Sequence, residues 1–390
     1  MTNLLNRLFG ATRTVYSLKD LFEIGPQYGY TASSDTKKVG PRFLRITDIQ
    51  GNVVDWGTVP YCQISDEEKT KYLLKKNDLV FARTGATTGM SYFVDEDLNE
   101  EAVFASYLIR LRFNEKLCDP RLLKYFFQSR NYWGQVNGSL SGSAQPGINA
   151  VTLSQMEVSL PDLPTQSKIA EILSVYDEKI ENNNTIINKL EATAQTIFDE
   201  WFVDFRFPGY EKVKFIETDA GNIPEGWEEK SVLEVIERIG VGKKYDNKTA
   251  LPTGNIQILD QGKSGNIGYH NEEPGVIASI ENPVVVFTNH TCYYRLMTEP
   301  FSCIQNVLPY VGRNGYPTLF VYFLTKEKIK MQEYKGHWPD FERQNFILPS
   351  TIQAHKFTEK NLPFIKKIVA LQKENTDLKH SRDLLLKKLI

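Results

Sequence analysis

The sequence predicts an α+β protein: two mixed α/β heads separated by two long helices that pair as an antiparallel coiled coil, a pseudo-twofold repeat. Three observations predict this. One order of parts occurs twice: a globular stretch ending in EVSLPDLPTQ leads into a long helical pattern from Leu160 to about Arg206, and NFILPSTIQ leads into another from Leu348 to Ile390. Apolar residues in both patterns recur at alternating steps of four and three, the spacing of a heptad seam. The two helical segments carry opposite charge, and an asparagine interrupts each near its centre. The division that follows is a first head at 1–159, a central helix at 160–206, a second head at 207–346 and a C-terminal helix at 347–390.

A chain of 390 residues with 41% hydrophobic and 12% aromatic content can build two or three domains, each with its own core. The net charge of -2 leaves no basic footprint over the whole molecule, so any nucleic-acid contact must come from a local basic face. Cys62, Cys118, Cys292 and Cys303 are scattered, with no CxxC pair, and suit a reducing cytoplasm. The apolar start of MTNLLNRLFGATRTV is interrupted by Asn6 and Arg7, too early for a secretory core. No run of about 18 apolar residues occurs, so no membrane span is expected.

The first head, from Tyr16 to Ser159, opens with SLKDLFEI, and the second, from Gly226 to Gln344, opens with EKSVLEVI. Each has a central apolar run that passes into a polar loop, DLVFARTGATTG (Asp78 to Gly89) and PVVVFTNHT (Pro283 to Thr291). Such a run followed by Gly, Thr and Asn predicts a buried strand feeding an exposed loop, where binding residues usually lie. PRLLKYFFQS and PTLFVYFLTKEKIK predict helices. Elsewhere the heads differ: the second has LDQGKSGNIGYH where the first has ITDIQGNVVDWG. Similar frames with different loops suit two different ligands, although a solvated turn also accounts for any one loop residue.

The first seam reads Ile169, Leu173, Tyr176, Ile180, Asn183, Ile187, Leu190, Ala194, Ile197, Trp201. The second reads Phe357, Asn361, Phe364, Ile368, Leu371, Asn375, Leu378, Arg382, Leu385, Leu389, with Pro363 predicted to restart or kink the helix. Asn183 is fifth in one seam and Asn375 sixth in the other, so antiparallel pairing puts the two amides opposite each other and makes them the register pair. Residues 160–206 hold nine acids against Lys168, Lys179, Lys189 and Arg206, whereas 347–390 hold nine bases against Glu359, Glu374, Asp377 and Asp383. Opposed charge favours pairing. The alternative is two separate amphipathic helices, each packed on its own head.

No catalytic constellation is legible. GVGKK (Gly240 to Lys244) lacks the first glycine of a phosphate loop and has Lys244 where a magnesium-binding hydroxyl should stand. PDFERQ (Pro339 to Gln344) is too compressed for a nuclease motif, and His270, His290, His337, His355 and His380 have no metal-binding spacing. No S-adenosylmethionine loop and no Asn-Pro-Pro-aromatic motif occurs, so the chain is expected not to be an enzyme. A two-headed scaffold that binds only proteins is the alternative function.

The order of variable head, LPDLPTQSKIAEIL with its helix, second head and terminal ENTDLKHSRDLLLKKLI resembles the specificity subunit of a type I restriction-modification enzyme over essentially the whole chain. It departs from that pattern in ending at Ile390 without a Ser-Gly-Glu-like tail. The resemblance implies two target-recognition domains, each reading half of a bipartite double-stranded DNA site, and helices that set the spacing and dock methyltransferase subunits, two in number. It further implies restriction/translocase subunits recruited through them, in a bacterial defence system. The chain itself would bind no cofactor; S-adenosylmethionine, ATP and Mg would belong to the partners. A seam from Ile169 to Trp201 would span about 50 Å, longer than one DNA turn of roughly 34 Å.

Hydrogen-bonding side chains on the loops are then the expected DNA contacts. In the first head these are Arg83, Thr84, Thr87, Thr88, Ser106, Tyr107, Ser141, Ser143 and Gln145. In the second they are Lys263, Asn289, His290, Gln305, Asn306, Lys335, His337, Trp338, Arg343 and Gln344. His337 and Trp338 have the edge of an aromatic core as their alternative.

Overall fold

The computed structural model describes residue 8 and residues 10–49, 51–140, 147–219, 221–262, 265–331, 333 and 335–390. Ser141, Ser143, Gln145 and Lys263 lie outside the described residues. The chain divides into two units, Met1–Ile180 with Thr376–Ile390, and Glu181–Asn375.

The strands of the first unit are β1 (Thr14–Ser17), β2 (Phe22–Tyr28), β3 (Arg42–Leu44), β4 (Leu79–Ala82), β5 (Ser91–Phe93), β6 (Ala102–Phe104), β7 (Leu108–Phe113) and β8 (Glu157–Leu160). Its helices are α1 (Asp66–Tyr72), α2 (Pro120–Phe126), α3 (Arg130–Leu140), α4 (Ala150–Gln155) and the first turns of α5 (Leu163–Phe202). An antiparallel sheet of order β2-β7-β4-β5 is its centre, with a parallel pair β3-β6 and an antiparallel pair β1-β8. The apolar run of β4 is buried throughout because both its faces are covered. Leu79 and Phe81 face a core with Tyr125, Phe126, Phe127 and Tyr132, while Val80 and Ala82 face a second core with Leu44 and Phe104.

Helix α2 starts where the sequence supplies both a cap and a proline: the Asp119 carboxylate accepts from the Arg121 amide at 3.0 Å, and Pro120 takes the first helical position. The glutamine of LPDLPTQ ties this cap to α5. Gln166, 2% exposed, accepts from the Asp119 amide and donates to the Pro161 carbonyl, both at 2.9 Å. Ile169, Ala170 and Leu173 of α5 share the larger core with Leu386 and Leu389 of the C-terminal helix.

The second unit repeats this order. Its strands are β9 (Phe215–Thr218), β10 (Gly221–Pro224), β11 (Glu228–Ser231), β12 (Ile236–Arg238), β13 (Ile256–Leu259), β14 (Gly268–His270), β15 (Val284–Thr288), β16 (Tyr294–Met297), β17 (Phe301–Cys303), β18 (Val307–Gly312) and β19 (Asn345–Leu348). Its helices are α6 (Thr318–Thr325), α7 (Trp338–Glu342), the rest of α5, and α8 (Thr351–Leu389) up to Asn375. The sheet β12-β18-β15-β16 corresponds to β2-β7-β4-β5, the parallel pair β13-β17 to β3-β6, and the pair β11-β19 to β1-β8. Again the central strand is covered twice, with Val285 and Phe287 facing one core and Val284 and Val286 another. The hairpin β9-β10 is an addition of this unit.

Within each unit α5 and α8 run antiparallel. In the second, Phe357 in the second turn of α8 packs on Phe198, Trp201 and Phe202 at the end of α5, while Asn375 meets Asn183. In the first, Asp177 pairs with Arg382 at 2.6 Å. Every seam position named above is buried or half-buried. The helices are shorter than the periodicity suggests, because Glu157–Leu160 and Asn345–Leu348 are strands. At its other end α5 stops at Phe202, and Phe205 turns to a φ of 57° to set its ring 5.3 Å from Trp227. Helix α8 continues through Pro363, which is exposed, so the helical carbonyl deprived of its partner can face water. No helix among the described residues is long and apolar enough to cross a membrane.

Candidate nucleic-acid interface

In the first unit, the end of β4 is where three segments meet. The Arg83 amide donates to the Tyr107 carbonyl at 3.1 Å, and the Arg83 carbonyl accepts from the Ile148 amide at 2.9 Å. Thr84 pairs with Gly147 across an antiparallel bridge. Two of the sequence-chosen loops, the strand exit and the Ser106-Tyr107 turn, are thus brought to one end of the sheet, where Gly147 and Ile148 before α4 join them. Tyr107 is 60% exposed there, and Ser106 is half-buried, its amide on the Tyr30 carbonyl at 2.8 Å. Thr87 and Thr88 shape the turn. The Thr88 hydroxyl donates to the Gly85 carbonyl at 2.7 Å with only 8% of the residue exposed, and the Thr87 carbonyl accepts from Met90 at 2.8 Å. Gly89 closes the turn at a φ of 88°, with Trp133 and Val136 where a Cβ would point. Thr88 is therefore a framework residue, and a ligand would meet its neighbours.

The second unit builds the same junction from different residues. The Asn289 amide donates to the Asn306 carbonyl at 2.9 Å, and the Asn289 carbonyl accepts from the His337 amide at 2.8 Å. Asn289 thus stands where Arg83 stands in the first unit. Its side chain is occupied, its Oδ1 accepting from the Trp338 amide at 2.8 Å. His290 is stitched on both sides, its amide on Gln261 Oε1 and its Nδ1 on the Lys335 carbonyl, each at 3.0 Å. Arg295 donates to the Asp260 and Gly262 carbonyls, which holds the neighbouring loop against this junction. Gln305 is exposed, and Asn306 takes a φ of 66° that Asn tolerates in a tight turn.

Of the remaining residues chosen in this head, His337 and Trp338 are 2% and 6% exposed. The His337 ring bonds Asp340 Oδ2 at 3.2 Å and the Glu333 carbonyl at 3.1 Å, and Trp338 packs on Phe287, Tyr310 and Phe341. The structure puts both in the aromatic core edge rather than on an open surface. Lys335 is exposed and paired with Glu333 at 3.0 Å and Asp340 at 3.4 Å; its hydrogen bond to Glu333 raises its pKa, and the Asp340 carboxyl is lowered, first by its bond to His337. Arg343 is the most open, its side chain 79% exposed and 3.7 Å from Asp340, and Gln344 Nε2 donates to the Asp340 carbonyl at 3.2 Å.

Two residues at these junctions were not singled out from the sequence. Tyr28 ends β2 beneath Arg83, with the Arg83 guanidinium 4.8 Å from its ring centroid. Arg238 ends β12 with its guanidinium 5.0 Å from the Trp338 ring. A signal existed: each lies a few residues beyond the matching head openings SLKDLFEI and EKSVLEVI.

The register pair lies inside the second unit. Asn183 Nδ2 donates to Asn375 Oδ1 at 2.9 Å and to Glu374 Oε2 at 3.0 Å, and Asn375 Nδ2 donates to Asn184 Oδ1 at 2.9 Å. Asn183 is fully buried and its Oδ1 has no hydrogen-bond partner among the described residues. Among those residues no group of three or more His, Cys, Asp or Glu side chains could hold a metal ion.

Two copies of one frame, each gathering polar loops at the end of its central strand, define a duplicated fold whose two units both draw residues from α5 and α8. Residues 12–192 match the family described as Type I restriction modification DNA specificity domain. The type I restriction enzyme HindI specificity subunit of Haemophilus influenzae is 31% identical over 152 residues, which is 37% of this chain and 33% of that protein. The MjaIX specificity subunit of Methanocaldococcus jannaschii is 26% identical over 297 residues, 69% of this chain and 67% of that protein. The chain thus spans from a third to about two thirds of the length of these relatives. In fold it is similar to the type I restriction-modification S subunit from M. genitalium, with a TM-score of 0.57 and 16% identity over 98% of this chain and 96% of that one. The family match thus lies in residues 12–192, and the chain is similar in sequence to these specificity subunits and in fold to the M. genitalium S subunit.

Proposed function

We propose that this chain is the DNA specificity component of a type I restriction-modification complex, each unit reading one half of a bipartite duplex site. One observation carries the reading. The strand-exit junction is the same in both units, whereas the side chains of the turn that closes on it differ, Ser106 and Tyr107 in one and Gln305 and Asn306 in the other. A common frame with altered loops suits two half-sites of different sequence. Helices α5 and α8 have residues in both units and would set the gap between half-sites, with Asn183 and Asn375 fixing their register. Their outward faces would dock two methyltransferase subunits, which recruit the restriction/translocase subunits in the cytoplasm. S-adenosylmethionine, ATP and Mg would serve those partners, and methyl transfer and cleavage would be theirs. The test is the methylation pattern of host DNA with and without this gene. Loss of one bipartite motif with a fixed gap is expected; loss of no motif overturns the reading.

A further inference from the structure

In each unit an arginine lies on an aromatic ring at the end of the sheet where the candidate loops meet. In the first, Arg83 at the β4 exit lies over Tyr28 of β2, whose hydroxyl oxygen accepts from the Ala150 amide at the start of α4 at 3.1 Å. In the second, Arg238 of β12 lies over Trp338 at the start of α7. Since β12 corresponds to β2 and α7 to α4, both pairs occupy the space between the edge strand and the short helix. They reach it with the residue types exchanged: the strand gives the ring in one unit and the arginine in the other. The same pairing is therefore made twice from unrelated sequence positions, which points to a shared demand rather than to a copied residue.

The side chains are open. Arg83 is half-buried, Arg238 is exposed, and neither guanidinium makes a hydrogen bond or ion pair to a described residue. Other arginines of the chain are held by carboxylates: Arg42 by Glu100, Arg112 by Asp78, Arg382 by Asp177. A guanidinium on a ring face keeps its N–H donors outward and has already lost much of its rotamer freedom, so it binds an anion at a lower entropic cost.

A feature present in both units, beside loop residues that differ, suits the part of a duplex that is alike at both half-sites. That part is the phosphate backbone, which positions a protein without carrying sequence. We propose that Arg83 and Arg238 are phosphate clamps, one per unit, pre-oriented by Tyr28 and Trp338, that orient each unit on DNA without reading a base. This rests on the DNA-specificity reading above.

The test uses the full chain in complex with its methyltransferase partners, a labelled duplex carrying the mapped motif, a scrambled duplex, and a salt series. Arg83→Ala and Arg238→Ala are each expected to weaken both duplexes by a similar factor, on the order of tenfold at low salt. Each should flatten the slope of log affinity against log salt by about 0.9 and leave the methylated motif unchanged. Arg83→Lys and Arg238→Lys should keep the wild-type slope with a smaller loss, and unchanged thermal unfolding would show that all variants fold. A motif relaxed at one base pair with the slope unchanged would make these residues base readers and overturn the proposal. Unchanged affinity and slope would overturn it as well. Failure of the DNA reading itself is visible in the wild-type arm, as equal affinity for both duplexes and no mapped motif, and the clamps fall with it.

Discussion

The two units hold their share of the α5-α8 pair by different physics. In the first, a charge cluster is added to the apolar packing of Ile169, Leu173, Leu386 and Leu389: Asp177 takes Arg382 at 2.6 Å, Lys124 at 3.1 Å and the Tyr125 hydroxyl at 2.8 Å. Burial would raise the Asp177 carboxyl, but Lys124, Arg382 and Tyr125 together hold it below its ordinary value. In the second the junction is aromatic. Phe357 lies within 6.2 Å, centroid to centroid, of Phe198, Trp201, Phe202, Phe320 and Phe323. An aromatic cluster stabilises by burial and is insensitive to pH. A half-buried charge cluster contributes less but demands one geometry, since each partner left unpaired costs desolvation. The difference teaches that a repeated fold need not be fastened by repeated chemistry.

The sharpest way to break this comparison is Phe357→Ala. The residue is fully buried, so the second unit should lose about 3–5 kcal/mol. Denaturant unfolding followed by tryptophan fluorescence in a Trp56→Phe, Trp133→Phe background reads this, because the remaining Trp201, Trp227 and Trp338 all belong to this unit; a loss below about 1 kcal/mol would show that the cluster is not the fastening. Next in size is Asp177→Asn, which leaves Arg382 and Lys124 without their shared carboxylate. The Asp177 side chain is 22% exposed, so about 1–3 kcal/mol is expected in the first unit. A double-mutant cycle with Arg382→Ala should show coupling between the two sites, and additive losses would refute the charge cluster.

The asparagine layer tests a third kind of contact. Asn183→Leu leaves the Asn375 amide facing a methyl group and should cost about 1–2 kcal/mol. Changing both to Leu should cost less than the single change, and a double cost equal to the sum of the two single costs would mean that the two amides are not coupled.

The smallest effect is the order in which the units weaken in acid. In the second unit, His270 Nδ1 accepts from the Glu272 amide at 3.1 Å, which leaves Nε2 to donate to Ser302 Oγ at 2.9 Å. Burial, opposed by Glu272 and reinforced by Lys243, lowers the His270 pKa from 6.5. The folded unit prefers the neutral ring, so its contribution is complete above the unfolded value and is lost as pH falls below about 6.5. Asp177 has a depressed pKa, so its contribution persists to lower pH and is lost as pH falls below about 3.8. Hydrogen exchange resolved by unit should therefore show the second unit loosening first on mild acidification. His270→Gln should remove that early step, and the same order of loosening in the variant would assign it elsewhere.

Much of the helical framework was legible because its code is local. Heptad spacing identified both helices, their antiparallel order and the facing of Asn183 and Asn375, since a buried stripe recurs every turn or two along one continuous segment. The central strands β4 and β15 were legible as apolar runs, although a run does not tell which residue faces which of two cores. The edges of the helices were not: β8 and β19 are strands only because β1 and β11 supply the partner hydrogen bonds from far along the chain. The candidate loops were chosen for their chemistry, and that criterion could not separate Thr88, His337 and Trp338, which the packing absorbs, from Arg343 and Tyr107, which it leaves open.

The sequence by itself determined the duplication, the two seams and their opposed charge, because periodicity and composition are properties of neighbouring residues. Only the tertiary structure decided that Arg83 and Asn289 stand at the same junction, that the Tyr107 and Asn306 turns close on them, and that Arg238 finds the ring of Trp338. Those contacts join segments far apart in the chain, and their geometry is set by sheet register and core packing, which no local pattern encodes.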